Sequence, residues 1–120
     1  MRRGEIWLAR LNPNAGAEAG KVRPVLILLD DAMLSTGMSP VLCIPLTSKL
    51  YKNLAGLRVT ITPRDRLLKT CYAMPEQARA LDRQRFGEGP LAVLTQKEMA
   101  QVERLFIACC GMADYLIPHH

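Results

Sequence analysis

The side chains best suited to chemistry in this sequence are cations and hydroxyls that stand beside short apolar runs. Lys21 and Arg23 directly precede one apolar run, and Thr47 and Ser48 directly follow another. An arginine can hold a phosphodiester with two hydrogen bonds and stabilise negative charge that builds up on its oxygens. The pattern therefore indicates phosphate binding. Each residue also has a simpler interpretation, because an arginine beside a proline is typical of a solvated strand edge and Pro-Leu-Thr-Ser is typical of a turn.

A later polar group has the same two interpretations. Gln77, Arg79 and Asp82 lie on or just beyond a further short apolar stretch. They could complete a phosphate site, or they could be cross-strand polar partners in a sheet. From the residues alone, the chain is basic and mainly β, with phosphate binding as one of its possible activities.

Common catalytic and cofactor motifs do not occur in the sequence. It has no P-loop, no GxGxxG and no HExxH. Both histidines stand at positions 119 and 120, so an internal imidazole is not available to activate a cysteine or bind a metal. No CxxC pair occurs, and we predict buried reduced thiols without a metal or another cofactor. The cysteines are Cys43, Cys71, Cys109 and Cys110.

Composition limits the protein class. The chain has 120 residues, of which 49% are apolar, and 16 Lys and Arg against 11 Asp and Glu give a net charge of +5. This balance predicts one globular domain over residues 1–118, with 119–120 as a tail of the kind an expression tag leaves. No apolar run approaches the ~20 residues that cross a bilayer, and no apolar signal segment follows the first arginines. We therefore predict a cytoplasmic protein without a membrane partner. The positive charge weakly favours RNA or DNA as a partner.

The elements that must position these side chains are short strands and one helix. We predict a central strand over residues 25–29, opened by Pro24. Residues 57–62 alternate between apolar and polar, which predicts a half-buried strand. Thr95 and Glu98 have capping-box spacing and predict a helix over 96–110. Further strands are predicted at 5–11, 41–44, 70–74 and 77–81, so the fold class is α+β, mainly β, with a small, strongly curved antiparallel sheet.

Four blocks of this sequence occur together in a fixed order. They are Arg3–Trp7 with Asn12–Pro13, Gly16–Glu18 with Lys21–Ile27, Ile44–Ser48, and Glu76–Asp82 with Arg85. Taken together, these blocks resemble the MazF/PemK family of toxin endoribonucleases over residues 2–116. The resemblance implies a partly open SH3-like or CcdB-like antiparallel barrel with a C-terminal helix, usually a homodimer. It also implies metal-independent cleavage of single-stranded RNA at short motifs, and a cognate antitoxin as protein partner.

The resemblance also implies roles for individual residues. Arg23 matches a catalytic arginine that stabilises the pentacoordinate phosphorane and relays a proton, although an arginine is a poor base. Thr47 matches a threonine whose hydroxyl holds the scissile phosphate. The RNA's own 2′-OH would attack, giving a cyclic phosphate and a 5′-hydroxyl end. RNA-contacting positions implied in the same way are Glu18, Lys21, Ser48, Gln77 and Arg79.

Three positions depart from the PemK branch and keep alternatives open. Ala17 stands where that branch has a histidine, and Met74 and Glu76 stand nearest to its later arginine and aspartate. Glu76 could partly replace the acid. The departures leave room for a CcdB-like gyrase-poisoning toxin or a catalytically weak relative that only binds its antitoxin. A general basic nucleic-acid-binding barrel is the third hypothesis.

Overall fold

A curved antiparallel sheet of seven strands dominates the computed structural model, which describes residues 1–11 and 21–117. The order across the sheet is β4-β5-β3-β2-β1-β7, and β6 pairs separately with β3. The fold predicted from the sequence, a mainly β α+β structure with a helix near its C-terminus, is confirmed. The strands are β1 (Glu5–Arg10), β2 (Val22–Ile27), β3 (Val41–Thr47), β4 (Val59–Ile61), β5 (Cys71–Ala73), β6 (Arg79–Leu81) and β7 (Ala92–Val93).

The curvature of the sheet comes from β3, which has different partners along its length. Its first half pairs with β6, from Val41 opposite Leu81, and its last two residues pair with β5, ending at Thr47 opposite Tyr72. Pro45 lies between the two pairings and has no N–H to donate to either. Its carbonyl instead accepts from the Met74 N–H at 3.1 Å. The sheet therefore curls around β3 into a half-barrel.

The long helix closes the concave side of this half-barrel. Helix α2 (Gln96–Cys109) begins with the predicted capping box: the Thr95 hydroxyl accepts from the Glu98 N–H at 3.1 Å, and the Glu98 carboxylate accepts from the Thr95 N–H at 2.9 Å. Its buried residues Met99 and Val102 belong to the main core. The helix ends one residue before the predicted boundary, and Gly111 follows it with a φ of +76° that suits glycine.

The main core lies between the sheet and α2, and its members come from α2, from six of the seven strands and from adjoining loops. They share apolar side chains on alternate strand positions, as a sheet with one face against a helix requires. Two smaller apolar clusters lie elsewhere in the sheet. The fully buried members of the main core are Ile6, Leu26, Ile44, Ile61, Ala73 and Val102.

Several predicted boundaries were wrong, each for a local reason. Pro24 does not open β2, because the strand begins at Val22, which pairs with Arg10 of β1. Leu57 belongs to the 3-10 helix Lys52–Leu57, and strand β4 takes up only the middle of the predicted strand. Gln77 ends the 3-10 helix Pro75–Gln77 instead of starting a strand.

Other short elements and two cysteines also differ from the prediction. Helix α1 (Asp31–Leu34) follows Asp30, whose side chain caps it by accepting from the Ala32 N–H at 3.2 Å. Cys109 and Cys110 are exposed rather than buried, and the four thiols are free. Within the described ranges, no helix is long and apolar enough to cross a membrane. Two further 3-10 helices, Arg83–Arg85 and Ala113–Leu116, complete the described elements.

Candidate active site

A groove opens where β2 and β3 separate. The two strands pair from Ile27 opposite Cys43 to Val25 opposite Pro45, where their ladder ends. Neither Pro24 nor Pro45 has an N–H, so neither can donate a ladder hydrogen bond at this point. Beyond it, β2 stays with β1 while β3 continues with β5. The resulting split forms a groove of about 1020 Å³.

Arg23 and Thr47 both line this groove, one from each side of the split. Arg23 lies on β2 opposite Ala9 of β1, and Thr47 ends β3 opposite Tyr72 of β5. If the β2–β3 register continued by two positions, the two residues would face each other. Both are half-buried, so their side chains are supported by the sheet and still accessible. The structure thus brings a guanidinium and a hydroxyl, distant in sequence, to the walls of one groove.

The Thr47 hydroxyl is oriented by the turn that follows it. Its Oγ1 accepts from the backbone N–H of Lys49 at 3.2 Å, which is a common turn contact for threonine. A hydroxyl carries one hydrogen and two lone pairs. With one lone pair engaged by Lys49, the hydrogen remains available to donate to an oxygen of a bound ligand.

The predicted RNA-contacting residues divide into three groups. Lys21, Ser48 and Gln77 line the groove together with Arg23 and Thr47, and all three are exposed. Arg79 is exposed on β6 opposite Cys43 and is not part of the groove lining. Glu18 lies outside the described residues, as does Ala17.

The groove is strongly electropositive. Its lining includes one carboxylate, Glu88, which pairs with Arg66 at 2.8 Å, while Arg58 pairs with Glu76 at 2.7 Å. For the other four cations, no carboxylate of the described residues lies within ion-pair distance. A cleft with such a surplus of positive charge concentrates polyanions. The six cations of the lining are Lys21, Arg23, Lys49, Arg58, Arg66 and Lys69.

Glu76 does not take the place that the sequence suggested for it. Its carboxylate accepts from the Arg58 guanidinium, and the residue is not part of the groove lining. Arg58 itself does line the groove, although only 6% of its side chain is exposed. The pair therefore links the 3-10 turn that contains Gln77 to the residue that precedes β4. This argues against Glu76 as a substitute acid in the groove.

Neither buried thiol is prepared to act as a nucleophile. Burial raises the pKa of Cys43 to about 12, although the charge of Arg79 opposes the shift. Burial also raises the pKa of Cys71, which lies in the groove lining, against the opposing charge of Lys69. Both groups are therefore protonated thiols at neutral pH. In the described part of the chain, no three or more His, Cys, Asp or Glu side chains are grouped to hold a metal ion.

Several groove residues were missed from the sequence. Tyr51 and Leu54 come from the segment after β3, and Arg66 and Lys69 come from the segment between β4 and β5. Lys49 and Lys52, on either side of Tyr51, could have indicated this part of the groove, because basic residues around an aromatic are typical of nucleic-acid contacts. The second segment gave no such signal. Its position depends on Arg64, which pairs with Glu98 of α2, 34 residues away.

The chain is similar to a known family of proteins and to an individual relative. Residues 2–109 match the family model described as PemK-like, MazF-like toxin of type II toxin-antitoxin system. The chain is 33% identical over 114 residues to Endoribonuclease MazF of Staphylococcus saprophyticus, which covers 93% of this chain and 92% of that protein.

Two solved structures share the fold. MazE-MazF from Deinococcus radiodurans superimposes with a TM-score of 0.76 at 24% identity, covering 93% of this chain and 96% of the other. An endoribonuclease in complex with its cognate antitoxin from a mycobacterial species gives a TM-score of 0.71 at 19% identity, with coverage of 93% and 96%. At these identities the superpositions establish the half-barrel with its helix.

Proposed function

We propose that this chain is a toxin that cleaves single-stranded RNA, on the premise that it belongs to the family of PemK-like, MazF-like toxins of type II toxin-antitoxin systems. The observation that carries the proposal is the presence of Arg23 and Thr47 on the two sides of one electropositive groove. The relative at 33% identity is an endoribonuclease, which agrees with this arrangement.

In the proposed reaction the RNA supplies its own nucleophile. The 2′ oxygen bonds to the adjacent phosphorus, the bond from phosphorus to the 5′ oxygen breaks, and the products are a cyclic phosphate and a 5′-hydroxyl. The guanidinium of Arg23 donates two hydrogen bonds to the non-bridging oxygens, where negative charge develops in the transition state. Thr47 donates its hydroxyl hydrogen to the same phosphate. Because an arginine does not lose its proton in a protein, water accepts the proton of the 2′-OH and supplies the one that the 5′ oxygen gains.

The other groove cations hold the strand on either side of the cleaved linkage. Lys21 precedes Arg23 on one side of the split, and Lys49 follows Thr47 on the other. Ser48 and Gln77 add neutral hydrogen-bonding groups, which can read base edges. This division of roles accounts for cleavage at short motifs, since the cations bind any sequence and the neutral groups discriminate.

The proposal is tested by incubating the protein with single-stranded RNA of mixed sequence in the presence of EDTA and mapping the new ends. We expect cleavage at recurring short motifs, with cyclic phosphate and 5′-hydroxyl ends. Arg23→Ala should slow cleavage by about 1000-fold without lowering the melting temperature. Arg104→Ala, which removes an exposed arginine of α2 away from the groove lining, is the matched control and should cleave like wild type.

Three results would overturn the proposal. Intact RNA after incubation with wild-type protein across many sequences would favour a toxin that binds its target without cutting it. Ends carrying a 5′-phosphate would contradict attack by the 2′-OH. Cleavage that disappears with EDTA would contradict the metal-independent step.

We also propose a cognate antitoxin as the protein partner and the cytoplasm as the site of action. A structural relative is itself a complex of an endoribonuclease with its antitoxin. An antitoxin segment that covers the groove would contact the cations that have no carboxylate partner among the described residues, so it should carry acidic side chains there. Addition of such an antitoxin should inhibit cleavage. The homodimer implied by the family resemblance stays a prediction, which light scattering would test.

A further inference from the structure

We propose that Tyr51 is a base-stacking residue of the groove, which holds a nucleotide beside the one whose linkage is cleaved. This inference rests on the proposed cleavage of single-stranded RNA and adds a residue that contributes to binding. It is carried by the position of Tyr51 in the groove lining, the exposure of its ring and the charges that flank it.

Tyr51 lies four residues after Thr47, at most about 14 Å away along the chain. It lines the same groove, and 59% of its surface is exposed. Its backbone is fixed at both ends of this short segment. The Thr47 hydroxyl accepts from the Lys49 N–H at 3.2 Å, and the Tyr51 carbonyl accepts from the Leu54 N–H at 3.0 Å as the 3-10 helix begins. The backbone that carries the ring is therefore held near the proposed cleavage point by these two hydrogen bonds.

The charges around Tyr51 are those of a single-strand binding surface. Lys49 and Lys52 flank it and are exposed, and no acidic residue occurs from position 48 to position 58. Proteins that bind single-stranded nucleic acid combine cations along the backbone with aromatic rings on which bases stack. The exposed faces of a tyrosine ring are apolar, and a base that stacks on the ring removes them from water, which favours binding.

A second exposed tyrosine shows that exposure alone does not make the argument. Tyr115 is 80% exposed, but it lies in the 3-10 helix Ala113–Leu116, next to Asp114, and does not line the groove. The four other aromatic residues of the chain are half-buried. Tyr51 is thus the aromatic that joins exposure, groove position and flanking cations, and Tyr115 is its natural control.

The test measures binding without cleavage. The probe is a fluorescently labelled, fully 2′-O-methylated oligonucleotide of mixed sequence, which lacks the attacking hydroxyl, and affinity is read by fluorescence anisotropy. We expect Tyr51→Ala to weaken binding about 5- to 100-fold, which corresponds to the usual contribution of stacking on one base. Tyr51→Phe keeps the ring and should bind like wild type. Tyr115→Ala should also bind like wild type.

A matched oligonucleotide without bases separates stacking from contacts with the backbone. On this abasic probe we expect Tyr51→Ala and wild type to bind equally, because there is no base to stack. If Tyr51→Ala binds the base-containing probe as tightly as wild type, the stacking role is wrong, although Arg23-dependent cleavage would leave the proposed function intact. A loss of equal size on the abasic probe would likewise overturn stacking. Wild-type protein that neither binds nor cleaves RNA would remove both proposals.

Discussion

The two sides of this molecule use the same residue types in opposite ways. On the helix side, Arg64 donates to both oxygens of Glu98, and Arg3 pairs with Glu103 at 2.6 Å. In the groove, Arg23 and three lysines have no carboxylate within ion-pair distance among residues 1–11 and 21–117. A neutralised arginine fastens one element to another. An arginine without a partner is available to a ligand that brings the negative charge.

The difference has an energetic consequence. Cations gathered in one groove repel one another, and this repulsion lowers the stability of the folded chain. Binding of a polyanion relieves it and stabilises the fold by mass action. The helix side has the reverse property at its two ion pairs, since Arg3–Glu103 and Arg64–Glu98 are already matched and contribute to folding without a ligand. Substitutions on the two sides should therefore separate activity from stability.

The largest effect is expected from Arg23→Lys, which sharpens the comparison by keeping the charge and removing the fork. A lysine presents a single ammonium and cannot bind two phosphate oxygens in the bidentate geometry of arginine. We expect kcat to fall by about 100-fold or more, as for the loss of one transition-state donor, with an unchanged melting temperature. Single-turnover cleavage of a mapped RNA substrate measures this. Full activity in Arg23→Lys would show that charge alone is sufficient.

On the helix side, Glu98→Gln should affect stability and leave cleavage per folded molecule unchanged. The glutamine can still cap Thr95, but it loses the charged bond to Arg64, which is partly buried. We expect a loss of about 1–2 kcal/mol in the free energy of unfolding, measured by urea denaturation. A fall in cleavage larger than the fall in folded protein would contradict the separation of the two sides.

The Arg64–Glu98 pair also predicts a pH dependence. The hydrogen bond from Arg64 holds the pKa of Glu98 below its ordinary value. A lowered carboxyl pKa contributes stability that is fully present above the unfolded value of about 4.3 and is lost as the pH falls through the folded value. The stability difference between wild type and Glu98→Gln should therefore shrink below about pH 4. Thermal unfolding at several pH values measures it, and a constant difference down to pH 2 would contradict the pair's role.

The smallest effect is expected from single groove lysines. Lys21→Gln and Lys49→Gln should each lower the slope of log affinity against log salt by about 0.7, the value for one phosphate contact on a single strand. Melting temperatures should stay the same or rise slightly, because the loss of one lysine relieves repulsion in the groove and neither lysine has a carboxylate within ion-pair distance in the described ranges. Anisotropy titrations at several salt concentrations measure the slope. An unchanged slope would mean that the lysine does not contact phosphate.

The sequence located the helix and the long strands, although not the full extent of β2 and β3, because their signals are local. Thr95 and Glu98 specify the start of α2 within one turn, and the apolar runs of β2 and β3 need no distant partner to be recognised. The three-residue strands were placed less well. A strand as short as β6 has no measurable period. The residues before β6, from Pro75 to Gln77, form a 3-10 turn instead of extending the strand.

The candidate site was predicted in part for the same reason. Arg23 and Thr47 adjoin strong apolar runs and carry the family resemblance, so they could be singled out. The split that brings them to one groove depends on which strands β2 and β3 keep as partners, and this is a long-range property. The segment with Arg66 and Lys69 reaches the groove through the ion pair between Arg64 and Glu98, which no local pattern reveals.

The most direct measurement is a double-mutant cycle on the cleavage rate with Arg23→Ala and Thr47→Val. Thr47→Val removes the hydroxyl and keeps the branched shape of the side chain. If both groups act on the same phosphate, their losses are coupled, and the double variant should be about as slow as Arg23→Ala alone. Losses that simply multiply, or a Thr47→Val protein with full activity, would show that these two side chains do not form one catalytic unit.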